Sequence, residues 1–277
     1  MFRPLFLTAL SVLSLALGAA ASPSDTQAGR IGEVLRLPEL LQVMAEEAVA
    51  DAVPPGGGDP ADGRQGAWLD SIARIYAPDR LMGMVEAELA RALARRDPQL
   101  IESALPFYES PAGRRLIALE LSARRALLDA DLARAADDAL HRAEVQRLPR
   151  LDRIDHLMEV TDIVEMNVVG GLNGYLEASR GFAAATGRAD MLPGLTDEAW
   201  RQEETMRLDT CHWMRGMLLL AYAPLDDDDL EELIAFAQTP GAMALSASLH
   251  DAFQVVFQRV AFETGMVSGA RFAGERL

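Results

Sequence analysis

The chain has 277 residues, with 26 Lys and Arg against 42 Asp and Glu, for a formal net charge of −16. That acidic balance repels phosphate backbones and anionic lipid headgroups, which argues against nucleic-acid binding and favours basic or cationic partners. Half of the residues are hydrophobic, enough for a real core and too many for wholesale disorder.

Residues 1–21 read as a secretory signal peptide: Arg3 supplies the basic start, an apolar run follows to about Leu17, and Ala19, Ala20 and Ala21 supply the small residues of a cleavage site before Ser22. The competing reading is a membrane anchor, since the uncharged stretch reaches the lower edge of the roughly 17–25 residues that span a bilayer. The small-residue exit and the lack of a following basic cluster favour cleavage. Cleavage removes Arg3 and no acid, so the mature chain is one unit more negative. Nothing later is apolar for long enough to span. The expectation is therefore an exported, periplasmic protein with no stable membrane span after cleavage, residues 22–277 forming a single all-helical domain.

Apolar residues recur at spacings of three and four, the period of helices. A first helix is expected to open with Leu35, Leu37, Leu40, Leu41 and Met44 and to run to about Val53, where the stretch Pro54–Pro60 forms a flexible loop. Helices follow at about 66–76 and 79–95. Asp97-Pro98 starts another, with the acid as cap and the proline in the first turn. Ser110-Pro111 repeats this start for a helix to about Leu128. From about Pro149 to Thr186 the spacing predicts one long central helix. Its apolar residues lie all round it, so burial is expected, and Gly170-Gly171 within it points to close helix–helix contact. Asp226–Asp229 favours a helix N-terminus through the macrodipole rather than a cation site. Thr239-Pro240 opens a last helix through Leu245, Leu249, Phe253 and Val256. After about Thr264 the sequence is small and glycine-containing and gives no reading.

Phe107-Tyr108-Glu109-Ser110-Pro111 recurs 129 residues later as Phe236-Ala237-Gln238-Thr239-Pro240, and the spacing holds without a gap for some 35 residues. The shared identities, among them Leu89/Leu218, Asp97/Asp226 and Leu116/Leu245, are of core and helix-start type. The fold class expected is therefore all-α: a helical bundle of two related helical units, at about 66–135 and 197–265, packed around a central helix at about 149–186. Phe107, Ser110, Pro111, Phe236, Thr239 and Pro240 are structural corners, in which the hydroxyl caps, the proline starts the next helix and the phenylalanine is buried.

Polar residues within apolar helices mark the candidate binding site, because buried carboxylates and amides must find partners. Asp162, Glu165 and Asn173 share one face of the central helix, and Asn167 points more nearly the opposite way. Glu120 and Arg124, four apart, form the favourable acid-before-base pair. If Glu165 faces Arg124 or Arg125, the result is a buried network that either fixes helix register or lines a polar pocket. Catalytic signatures are absent: His141, His156, His212 and His250 are scattered, and no metal-ligand spacing, phosphate loop or nucleophile elbow occurs. No catalytic residue, metal or cofactor is assigned. The lone Cys211 excludes an internal disulfide and reads as a buried thiol.

Three segments carry a family resemblance: Phe107–Gly113, Leu119–Arg124 and the run Asp162-Ile163-Val164-Glu165-Met166-Asn167-Val168-Val169-Gly170-Gly171-Leu172-Asn173. In them the chain resembles exported bacterial proteins carrying the domain called DUF2059, whose hallmark is similar to the Phe-Tyr-x-Ser-Pro-x-Gly corner. The second corner departs from it, with Ala237 for Tyr108 and Ala242 for Gly113. The resemblance implies an all-helical envelope protein and assigns no catalytic residue. The leading expectation is a non-enzymatic interaction or binding protein whose partner is another envelope protein. The alternatives are a carrier of an apolar or lipid-like ligand and a hydrolase-type enzyme using buried carboxylates. A large apolar cavity would favour the carrier, an exposed apolar patch over a closed core the interaction protein, and two carboxylates in an open cleft the enzyme.

Overall fold

A computed structural model describes residues 23–53 and 63–274. The signal peptide and the Pro54–Pro60 loop inferred from the sequence lie outside the described residues. The described residues are helical throughout, with no strand: α1 (Pro23–Val34), α2 (Leu37–Asp51), α3 (Gly63–Ile75), α4 (Pro78–Leu93), α5 (Pro98–Glu102), α6 (Leu105–Glu109), α7 (Pro111–Ala126), α8 (Ala130–Gln146), α9 (Pro149–Val160), α10 (Ile163–Thr186), α11 (Leu195–Ala221), α12 (Asp227–Ala237) and α13 (Pro240–Ala273). A single 3-10 turn, Ala189–Met191, precedes α11. The all-α fold expected from apolar periodicity is observed. Among the described residues no helix is long and apolar enough to cross a membrane.

The helix starts follow from local side-chain chemistry. Asp97 accepts from the Gln99 amide at 2.9 Å and starts α5. Ser110 accepts from the Gly113 amide at 3.0 Å and starts α7. At the 129-residue spacing Asp226 and Asp229 bond each other's backbone amides in a reciprocal capping box, and Thr239 accepts from the Ala242 amide at 3.3 Å. The run Asp226–Asp229 is thus a helix-start device.

At three helix boundaries a non-glycine residue takes the left-handed conformation, and at the last of them this overturns an expected helix. Arg36 (φ 50°) separates α2, the helix expected from about Leu35, from α1, which precedes it and was not expected. Arg147 (φ 52°) ends α8. Asp162 (φ 52°) breaks the expected 149–186 helix into α9 and α10. There Thr161 turns its hydroxyl back onto the Leu157 carbonyl at 2.7 Å and the next residue leaves the helix. The segment after Asp97 also divides, into α5 and α6.

Two clusters of buried side chains form the interior. One joins α1, α2, α3, α4, α5 and the first two-thirds of α13 through residues such as Leu40, Leu81, Leu89, Ile101, Phe253 and Val256. The other joins α8, α9, α11 and α12 through Leu140, Ile154, Met214, Leu218, Leu230 and Ile234. Helix α7 serves both, giving Ile117 and Leu121 to the first and Leu116 and Ala123 to the second. Helix α10 packs chiefly along α13 and next against α11. Its backbone approaches α13 through Gly181, Gly265 and Gly269. Gly170 and Gly171, expected to mark the close helix–helix contact, instead face the ends of the Gln254 and Met206 side chains.

Candidate functional site

Between the two clusters lies a cavity of about 1040 Å³ with a mostly apolar wall. Helix α7 presents Leu116, Ile117 and Glu120 to it, α9 and α10 present Leu157, Ile163 and Met166, α11 presents Met206 and Leu218, and α13 presents Leu249, Phe253 and Phe257. This explains a misreading. Helix α10 is apolar all round, as a buried helix should be, yet only Val168, Gly181 and Ala183 are buried in it. One of its apolar faces lines a space instead of packing against another helix.

The two repeated corners meet at the cavity wall. The rings of Phe107 and Phe236 stack with centroids 3.8 Å apart and planes 9° apart, and Tyr108 stands edge-on to both at 5.5 and 5.2 Å. Both phenylalanines were expected to be buried; they are half-buried, because they cover each other and the cavity takes the rest of their surface. The edge-on contacts of Tyr108 add roughly 0.5–1.5 kcal/mol per pair to simple burial.

Beside this aromatic group Glu120 accepts a short hydrogen bond from the hydroxyl of Tyr222, whose side chain is almost fully buried just after α11. The accessible part of Glu120 belongs to the cavity wall, so its carboxylate is poorly hydrated. Burial pushes its pKa up from 4.5 to about 7, and the Tyr222 hydrogen bond moderates the rise. Burial, followed by the nearby Glu120 charge, raises the phenols of Tyr108 and Tyr222 above their ordinary range. On α13, burial lowers the His250 pKa, while the carboxylates of Asp251 and Asp162 act the other way.

A pH-dependent stability follows for Glu120. A carboxyl that binds its proton more tightly folded than unfolded adds stability below about pH 4.5 and loses it as pH rises through about 7. Glu120→Gln has no such proton. Urea unfolding of the two proteins at pH 4.5 and pH 8 should show the wild type losing about 2–3 kcal/mol relative to the variant. Equal pH dependence of the two proteins would contradict the raised pKa.

Of the six residues singled out in the sequence, Glu120, Asp162 and Asn167 line the cavity. Asn167 donates to the Ile163 carbonyl at 2.6 Å within its own helix. The expected network joining Glu165 to Arg124 does not form. Arg124, 1% exposed, donates two hydrogen bonds to Glu47 of α2, at 2.7 and 2.6 Å. Glu165 lies at the surface and pairs with Arg207 of α11, which also holds Glu203. That pair lowers the Glu165 pKa through its hydrogen bond and charge. Nor do Glu120 and Arg124 pair with each other; successive turns of α7 send them to α11 and α2 respectively. Asn173 is half-buried away from the cavity. Cys211 is half-buried, and burial raises its thiol pKa.

Sequence reasoning missed Tyr222, Tyr108, Met206 and His250 as wall residues. The one available signal was Tyr222, a hydroxyl closing the apolar run Met217–Ala221 and therefore in need of a partner. No known protein family, curated protein or solved structure matches this chain.

Proposed function

We propose that this chain is a binding protein that holds an apolar or lipid-like ligand in the cavity between its two core clusters. The observation that carries the reading is the cavity itself, about 1040 Å³ with a predominantly apolar wall. Protein interiors are close-packed and rarely leave voids much larger than a water molecule, while ligand sites are concave, mostly apolar and roughly 300–1,000 Å³. The wall is adaptable, with Met166, Met206 and Met243 among its members. This favours the carrier over a protein that works only through its outer surface, and export by the segment at residues 1–21 would place it in the periplasm.

Filling the cavity is the test. Gly174 lines it, and a Cβ there would meet nothing closer than the Cβ of Ala261, at 4.0 Å. Gly174→Leu should weaken binding of an uncharged apolar fluorescent dye such as N-phenyl-1-naphthylamine by about tenfold, worth about 1.4 kcal/mol. It should also raise stability by about 1 kcal/mol, because it removes a helix-interior glycine and fills space. Unchanged dye binding in a folded Gly174→Leu protein would count against the cavity as the site. Native mass spectrometry of the periplasm-purified protein should show a co-purified apolar molecule.

A further inference from the structure

The cavity's polar groups are unbalanced in charge. Four carboxylates lie in its wall: Glu120, Asp162, Asp209 and Asp251. Asp251 is neutralised by Arg95 and Arg96, at 3.3 and 3.1 Å. Glu120 has only a neutral partner, the Tyr222 hydroxyl, on one oxygen, which leaves the other without a donor. Asp162 and Asp209 are exposed at the rim, where water reaches them, and among the described residues neither pairs with a cation, so Glu120 is the carboxylate shielded from water. On the basic side, Arg201 lines the cavity but is tied to Glu198, and burial disfavours the charged form of His250.

A carboxylate facing an apolar space without a cation is costly, and the cost is relieved by a ligand that brings the missing positive charge. The surroundings of Glu120 suit such a charge. The ring of Tyr108 and the Tyr222 phenol stand beside it, and aromatic faces attract ammonium groups. The hydroxyl of Tyr108 makes no hydrogen bond among the described residues and adds a further polar contact at the same place. The acidity of the whole chain draws cations towards this wall and repels anions.

We infer that the ligand is a cationic amphiphile, an alkyl chain carrying an amine or quaternary ammonium head, with the head seated against Glu120 and the chain running along the apolar wall of α10 and α13. This rests on the apolar-ligand reading above and narrows it. An anionic amphiphile such as a fatty acid would bring its carboxylate against Glu120, and a neutral one would leave Glu120 without a compensating charge.

Three ten-carbon probes separate the cases: decyltrimethylammonium, 1-decanol and decanoate, each below its aggregation concentration and titrated calorimetrically into the full protein at pH 8. The ammonium should bind about tenfold tighter than decanol, and decanoate more weakly than either. Glu120→Gln should bring the ammonium-to-decanol ratio close to one. Decanoate binding as tightly as the ammonium overturns the inference, and so does an unchanged ratio in Glu120→Gln, while both leave the apolar-ligand reading standing. Failure of all three probes overturns that reading as well. Should Glu120→Gln not keep its helical circular dichroism, the ammonium-to-decanoate ratio of the unaltered protein decides, and a ratio of one or below sinks the proposal.

Discussion

Glu47→Ala should lower the unfolding free energy by about 3–5 kcal/mol, a large share of the roughly 5–15 kcal/mol of a typical domain. Its partner Arg124 is 1% exposed, and Glu47 holds two of its nitrogens at 2.7 and 2.6 Å. The remaining terminal nitrogen, Nη1, is buried without a hydrogen-bond partner. Removing Glu47 therefore strands a guanidinium that water cannot reach. The reverse change is milder: Arg124→Met leaves Glu47 with a side chain 16% exposed, able to recover part of its hydration. Replacing both, as Glu47→Leu with Arg124→Met, should cost far less than Glu47→Ala, because an apolar pair of similar volume has no charge to desolvate. Urea unfolding of the three variants gives the comparison directly. A Glu47→Ala protein within about 0.5 kcal/mol of wild type would show that the pair is not the constraint it looks to be.

Gly265→Ala should be the most damaging single methyl group in the protein. Its Cβ would lie 2.0 Å from the Ala178 carbonyl oxygen and 2.7 Å from that carbonyl carbon. Across the same contact a Cβ on Gly181 would lie 2.1 Å from the Phe262 carbonyl oxygen. These are backbone atoms in the middle of two long helices, so no rotamer change relieves the clash, and α10 and α13 must move apart. A cost of about 3 kcal/mol or more is expected. Because both helices also wall the cavity, ligand binding should fall with it. Gly83→Ala on the exposed face of α4, where a Cβ meets nothing within 4 Å, provides the contrast and should stabilise by about 0.5–1 kcal/mol. Thermal unfolding of both variants checks the pair. Similar melting temperatures would mean that the helices can separate cheaply.

The candidate site was legible only in part. Glu120, Asp162 and Asn167 stand out in sequence as polar residues in apolar helices, and all three line the cavity. Their partners did not show. Arg124 finds Glu47 77 positions earlier, Glu120 finds Tyr222 102 positions later, and Glu165 finds Arg207 42 positions later. Helical periodicity says which residues share a face, but not which helix that face meets. The inference that Glu165 would meet Arg124 failed for this reason. The central helix failed in another way. Its break at Asp162 carries no glycine or proline signal, since a non-glycine residue takes the left-handed conformation only when its surroundings hold it there.

What the sequence alone determined is whatever depends on near neighbours along the chain. The all-α class follows from apolar spacing at three and four. The helix starts at Asp97, Ser110, Asp226 and Thr239 follow from caps that bond amides two or three residues away. The repeated Phe-x-x-(Ser/Thr)-Pro corner belongs here as well. Only the tertiary structure decided that the two corners stack face to face, that α10 turns an apolar side to empty space, and that a carboxylate stands there without a cation. Each of these depends on how helices far apart in sequence are placed, and hydrophobic burial, which drives that placement, is non-directional.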